Sequence, residues 1–185
     1  MSIKRGLTGL LVLVFIHPIY SQGLDEIRER LEMLDEQNVA LRESVMPTVT
    51  RYGFGSPEMD SLDARIHKFD STALLVVTSI IDQYGWLGKS QIGETANGSL
   101  FTTVQHARDN AIRKKYFPLL KKSGKNGESS LATMASMKDR ILIQRGKPQL
   151  YGTQYRMIDG DMQLFPIRNP DKLNERRKEV GLDEI

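Results

Sequence analysis

Two groups of residues in this chain have the types that do chemistry. One is Gln105-His106. The other is Asp139-Arg140, taken with Gln149, Tyr151, Thr153 and Gln154 a little further on. Histidine titrates near neutral pH, so His106 suits a general acid or base, or a hydrogen-bonder to a ligand. The same ring also suits a structural role, packed on the core and bonded to a carbonyl, and both readings stand. Arg140 offers a planar fork of donors that fits a carboxylate, a phosphate or a set of backbone carbonyls. Asp139 and Arg140 would serve equally well to hold the segment that follows them. If that segment is a strand, Tyr151 and Thr153 point to one face, and Leu150, Gly152 and Gln154 to the other. Gly152 leaves room there for a backbone or a ligand. Gln105, His106, Arg140, Tyr151 and Gln154 are costly to bury without partners. The expectation is one pocket with His106 as the catalytic candidate. Gln105, Asp139, Arg140, Tyr151 and Gln154 would bind a small polar or anionic ligand.

Other chemistries find less support. The chain has no cysteine, which removes disulfides, thiolate metal sites and a cysteine nucleophile. His67 and His106 stand alone, without an HExxH pattern or a clustered carboxylate loop, so neither a metal nor another cofactor is expected. Ser129, Ser130 and Ser136 lack the elbow that exposes a nucleophile. Gly85, Gly88 and Gly93 lack the spacing of a phosphate loop. Arg113-Lys114-Lys115 and Lys121-Lys122 read as the solvated face of a basic helix.

The start of the chain reads as a targeting segment. Lys4 and Arg5 precede an apolar run from Leu7 to Ile16, and Ser21 offers a small residue for cleavage. This is the pattern of a secretory signal peptide over residues 1–21. An apolar run of about ten residues falls short of the ~20 needed to span a bilayer. No cysteine follows to carry a lipid, so no stable anchor is expected after cleavage. Loss of Lys4 and Arg5 lowers the formal charge from +3 to +1. A nearly neutral domain has little to offer nucleic acid, whose binding rests on many phosphate contacts. The expected product is exported, periplasmic or secreted, with one domain over residues 22–185.

The elements that must position these residues are mostly helical. Leu24, Ile27, Leu31 and Leu34 keep a three-or-four spacing, which predicts an amphipathic helix over about 24–45. Residues 51–57 read as a loop. Ser56-Pro57 then resembles an N-cap and first helical position. The helix it opens runs through a segment apolar on nearly all sides, 74–81, and stops at Gly85. Further helices are predicted over about 94–106, 109–122 and 129–144, with Pro118 expected to kink or break the second of these. Gly146 closes the third. Two strands, 149–157 and 162–167, flank Asp159-Gly160, a hairpin-turn signal. Asn169-Pro170 caps a last helix, 171–180, which Gly181 stops. The fold class is therefore mainly α, about six helices with a C-terminal β-hairpin before the last.

Tyr84-Gly85-Trp86, Val104-Gln105-His106-Ala107, Asp139-Arg140-Ile141-Leu142, the 149–154 segment Gln-Leu-Tyr-Gly-Thr-Gln and the 175–182 segment Glu-Arg-Arg-Lys-Glu-Val-Gly-Leu occur in that order. The ordered set resembles a bacterial family known as a domain of unknown function, from about Leu24 to the C-terminus. That pattern often has an acidic residue directly after Gln-His-Ala, where this chain has Arg108 and then Asp109. It also commonly has an Asn three residues after the aspartate matched by Asp70, where this chain has Ala73. The resemblance implies domain boundaries and a choice of residues, and no activity, substrate or cofactor. Two functional readings follow. The first is a binding or structural module of the cell envelope, holding a small polar or anionic ligand or an envelope protein. The second is a metal-independent hydrolase or lyase, with His106 as acid–base group and Arg140 as anion stabiliser.

Overall fold

The computed structural model describes residues 17–158 and 161–185. Asp159-Gly160 and residues 1–16, with most of the targeting segment, lie outside them. α1 spans His17–Glu43, so the expected cut after Ser21 falls within it. α2 (Val45–Tyr52) follows, then α3 (Pro57–Tyr84), α4 (Lys89–His106), α5 (Asn110–Lys125) and α6 (Leu131–Ile143). β1 (Tyr155–Ile158) pairs antiparallel with β2 (Asp161–Leu164), and a 3-10 turn (Pro170–Lys172) leads into α7 (Leu173–Glu179). The protein is mainly helical, with the hairpin before the last helix.

Local chemistry sets most of the boundaries. Ser56 accepts a hydrogen bond from the Met59 amide (3.2 Å), and Pro57 sits at the first helical position of α3. Asp109 and Ser130 cap α5 and α6 in the same manner. α6 ends where Lys147 N–H reaches back to the Leu142 carbonyl and Gly146 takes a positive φ of 65°, a Schellman closure. Structure and expectation differ at several points. α4 opens at Lys89, before the expected 94, and is kinked at the non-helical Gly93 (φ 82°), while β2 stops at Leu164 and not at 167. α2 includes Arg51 and Tyr52, leaving a loop of only 53–56, because Val45 and Val49 continue an apolar stripe from Leu41. α5 runs unbroken through Pro118, held by Tyr116 and Leu120 in the core on either side. Residues 149–154 form a loop, not a strand. Asn169 makes no side-chain cap; it takes a left-handed conformation (φ 47°) instead.

α1 lies against α3 and α4, and α5 against α6, with α4 between the two layers. The main core joins Leu31 of α1, Val77, Ile80 and Ile81 of α3, Leu100 and Val104 of α4, Tyr116 and Leu120 of α5, and Met137 and Ile141 of α6. A smaller cluster gathers Met59, Leu62 and Ile66 of α3 against Leu41, Val45 and Val49. The 74–81 stretch of α3 is not buried all round: Leu75 is 74% exposed. No helix among the described residues is long and apolar enough to cross a membrane.

Candidate functional site

Between the two apolar clusters the stripes of α1 and α3 each miss a rung. On α1 the run Leu24, Ile27, Leu31, Leu34 would continue at 38, where the residue is Asn38. On α3 the run Met59, Leu62, Ile66 would continue at 70, where it is Asp70. Arg42 joins the two, donating from Nε to Asn38 Oδ1 (2.9 Å) and from Nη2 to Asp70 Oδ1 (2.7 Å). This pair is partly shielded, with 31% and 19% of the two side chains exposed, so it is not a mere surface contact.

The C-terminus of α4 brings His106 to this layer. Burial pushes the imidazole down from its ordinary 6.5 to about 4; Arg42 and Arg140 add to that push, while Asp70 and the Thr102 carbonyl oppose it. A helix C-terminus favours a cation, but burial and two guanidiniums win, and the ring is neutral at neutral pH. Its Nδ1 is buried without a hydrogen-bond partner.

α6 supplies the remaining wall. Ser136 and Arg140, one turn apart, face the same way. Ser136 Oγ accepts from Gln105 Nε2 (3.3 Å) and Gln154 Nε2 (3.1 Å), while Arg140 Nη1 makes a long 3.4 Å contact to Gln154 Oε1. Arg140 Nε and Gln105 Oε1 are both buried and unpartnered. Burial and the nearby Arg42 charge hold the Arg140 guanidinium below its usual pKa. Beneath them Arg113, expected on a solvated face, is only 1% exposed. It donates to the Gln105 carbonyl (3.2 Å) and to that of Ala107, closing the end of α4. Asp109, the acid nearest the Gln-His-Ala motif, is committed to capping α5.

Asp139 and Tyr151 belong to an adjoining construction, linked to the first through Gln154 Nε2, which also donates to the Thr153 hydroxyl (3.2 Å). The wholly buried Asp139 accepts from the amides of Leu150 (2.7 Å), Tyr151 (3.0 Å) and Thr153 (3.2 Å), and from the Thr153 hydroxyl (3.0 Å). Gln149 donates to the Gln154 and Phe165 carbonyls and accepts from the Gln154 amide. From α7, Arg176 Nε donates to the Leu150 carbonyl (2.7 Å), and Arg177 Nη1 to those of Tyr151 (2.6 Å) and Gly152. The 149–154 loop is thus gripped by its N–H groups on one side and its carbonyls on the other. Gly152 has φ +66°, and a Cβ there would lie 3.0 Å from Ile185, so its space is taken by the chain's own terminus. Burial raises the Tyr151 phenol, with Asp139 and Glu179 adding to the effect and Arg176 opposing it. The backbone of Tyr151 is held by Asp139 and Arg177, and no hydrogen bond among the described residues joins it to His106 or Arg140.

Four of the six expected residues therefore meet in one layer: Gln105, His106, Arg140 and, through its side chain, Gln154. Sequence reasoning missed Asn38 and Arg42, weighed Ser136 only as a nucleophile, and met Asp70 only as part of the family resemblance. The signal for Asn38 and Asp70 was available, as polar residues on rungs of otherwise apolar stripes. No curated protein and no solved structure matches the chain. A family model, described as Family of unknown function (DUF6624), matches residues 25–185, and the chain belongs to that family.

Proposed function

We propose that this is an exported envelope protein that binds a small anionic ligand between α1, α3, α4 and α6, at Arg42, His106 and Arg140. The observation that carries the reading is an imbalance. Arg42 pairs with Asp70, while Arg140, close enough to feel the Arg42 charge, has no carboxylate partner beside the neutral imidazole, and donors and acceptors next to them lack partners. A buried polar group without a partner costs about 1–3 kcal/mol. Such a group calls for a specific explanation, and a carboxylate or phosphate would supply acceptors where the surplus donors lie.

Binding is favoured over hydrolysis or elimination by the state of His106. A general acid or base works best with its pKa near the working pH, and a ring held near 4 is a weak base and almost never an acid at neutral pH. Thermal unfolding in acetate and in inorganic phosphate, at matched ionic strength against chloride, tests the reading. Stabilisation by at least one of the two, lost in Arg140→Ala, is expected. Unchanged melting in both anions would reject it. The export half is tested separately: cell fractionation should place a chain starting at Gln22 outside the cytoplasm, and a cytoplasmic chain starting at Met1 would refute it.

A further inference from the structure

We infer that the anion taken by this layer carries a hydroxyl beside its charged group: a small hydroxycarboxylate, not a bare carboxylate or an amino acid. The inference rests on the anion-binding reading above and specifies its ligand. The unpartnered atoms are of both kinds. Arg140 Nε is a donor and asks for an acceptor, such as a carboxylate oxygen. Gln105 Oε1 is an acceptor and asks for a donor. With Gln105 Nε2 donating to Ser136 Oγ, Oε1 is the atom left unpartnered. Asp70 adds a second acceptor, since only its Oδ1 is engaged, by Arg42, and a carboxylate offers about four lone-pair sites. A ligand made only of acceptors would satisfy the guanidinium and leave these oxygens as they are.

Charge decides which donor the ligand brings. Arg42, Arg140 and the buried Arg113 beneath them, against Asp70 and beside a neutral His106, leave the layer with a cationic surplus. A hydroxycarboxylate carries one negative charge and reduces that surplus. An amino acid is a zwitterion, leaves the surplus in place and sets an ammonium beside two guanidiniums. An ordinary net hydrogen bond of about 0.5–1.5 kcal/mol corresponds to roughly two- to tenfold in affinity.

Calorimetric titration of the protein at pH 7 with glycolate, acetate and glycine tests this. Glycolate should bind roughly two- to tenfold tighter than acetate, with glycine weakest. In Gln105→Met the preference should vanish, so that glycolate and acetate bind alike. If that variant does not fold, the order of the three ligands on the unaltered protein still decides. Equal binding of acetate and glycolate, both lost in Arg140→Ala, would overturn the hydroxyl requirement and leave the anion site standing. That is the result expected if the Gln105 amide is turned over, presenting its NH2 in place of its oxygen. Glycine binding as tightly as glycolate would also overturn the inference. Binding of none of the three would remove the inference, and silence in phosphate as well would remove the anion site.

Discussion

Asp139 and Arg140 are neighbours in sequence and serve opposite kinds of surroundings. Asp139 looks toward the 149–154 loop and has every acceptor employed, by three amides and a hydroxyl. Arg140 looks toward α1 and α4 and has one long contact and one buried, unpartnered nitrogen. Both sets are built from residues that sequence reading would group as one polar cluster. A polar network that satisfies itself rigidifies a fold and leaves nothing for a ligand. One with surplus donors costs stability, and a folded protein retains it at a functional site more readily than elsewhere. The lock around the loop is structure. The layer around His106 is where a ligand has something to gain.

If the contrast is real, the largest effect comes from breaking the lock. Asp139→Ala leaves three part-buried amides and a hydroxyl without an acceptor, and should cost about 4 kcal/mol in urea unfolding. A loss under about 1 kcal/mol would mean that the loop holds itself and that the carboxylate is available for other work.

Next in size is a pH effect confined to the layer. The folded His106 has its pKa lowered to about 4 from 6.5, so between these values the unfolded chain binds more protons than the folded one. Its contribution is therefore complete above pH 6.5 and is lost as the pH falls toward 4. The full difference amounts to about 3 kcal/mol. Stability of the protein and of His106→Leu, measured from pH 7 to 4, should show a shallower decline in the variant whatever its absolute level. Parallel curves would contradict the burial of the ring.

Arg177→Ala should cost about 2 kcal/mol, less than Asp139→Ala, because it strands carbonyls that retain second lone pairs and neighbouring donors. Protection of the Leu150, Tyr151 and Thr153 amides from hydrogen exchange should fall with it. Unchanged protection would show that Asp139 alone holds the loop.

What could be read in advance follows from range. Helix existence and ends were legible where the determinants lie within a turn: Ser56-Pro57 opening α3, Gly85 stopping it, Gly146 closing α6. The 149–154 segment was misread as a strand because its conformation is set from a distance. Asp139 is 11 to 14 residues away, Arg176 and Arg177 about 26 from Leu150 and Tyr151. Arg113 was misread for the same reason, since two lysines follow it and only the carbonyls of Gln105 and Ala107 explain its burial. In the site, Gln105, His106 and Arg140 were visible by type. Arg42 was not, as an arginine on a charged helix has nothing local to mark it.

The smallest expected effect is the most discriminating, because it falls on the residue next to the one with the largest. Arg140→Met keeps the length and apolar stem of the side chain while removing its charge and its buried, unpartnered Nε. What is given up is a 3.4 Å contact to Gln154 Oε1, at the outer limit of a hydrogen bond. What is relieved is the desolvation of a cation set near Arg42. Loss of a weak contact and removal of an unsatisfied donor nearly cancel, and an apolar replacement of similar shape is often neutral or stabilising. Stability should change by less than about 1 kcal/mol, within the range of substitutions that break no buried network. The His106 ring, freed from one of the two guanidiniums that depress it, should titrate at a higher pH in a histidine NMR titration. Stabilisation by acetate or phosphate should disappear. A loss of 2 kcal/mol or more would place Arg140 in the lock with Asp139. An unmoved His106 titration would separate the ring from the guanidinium and divide the layer in two.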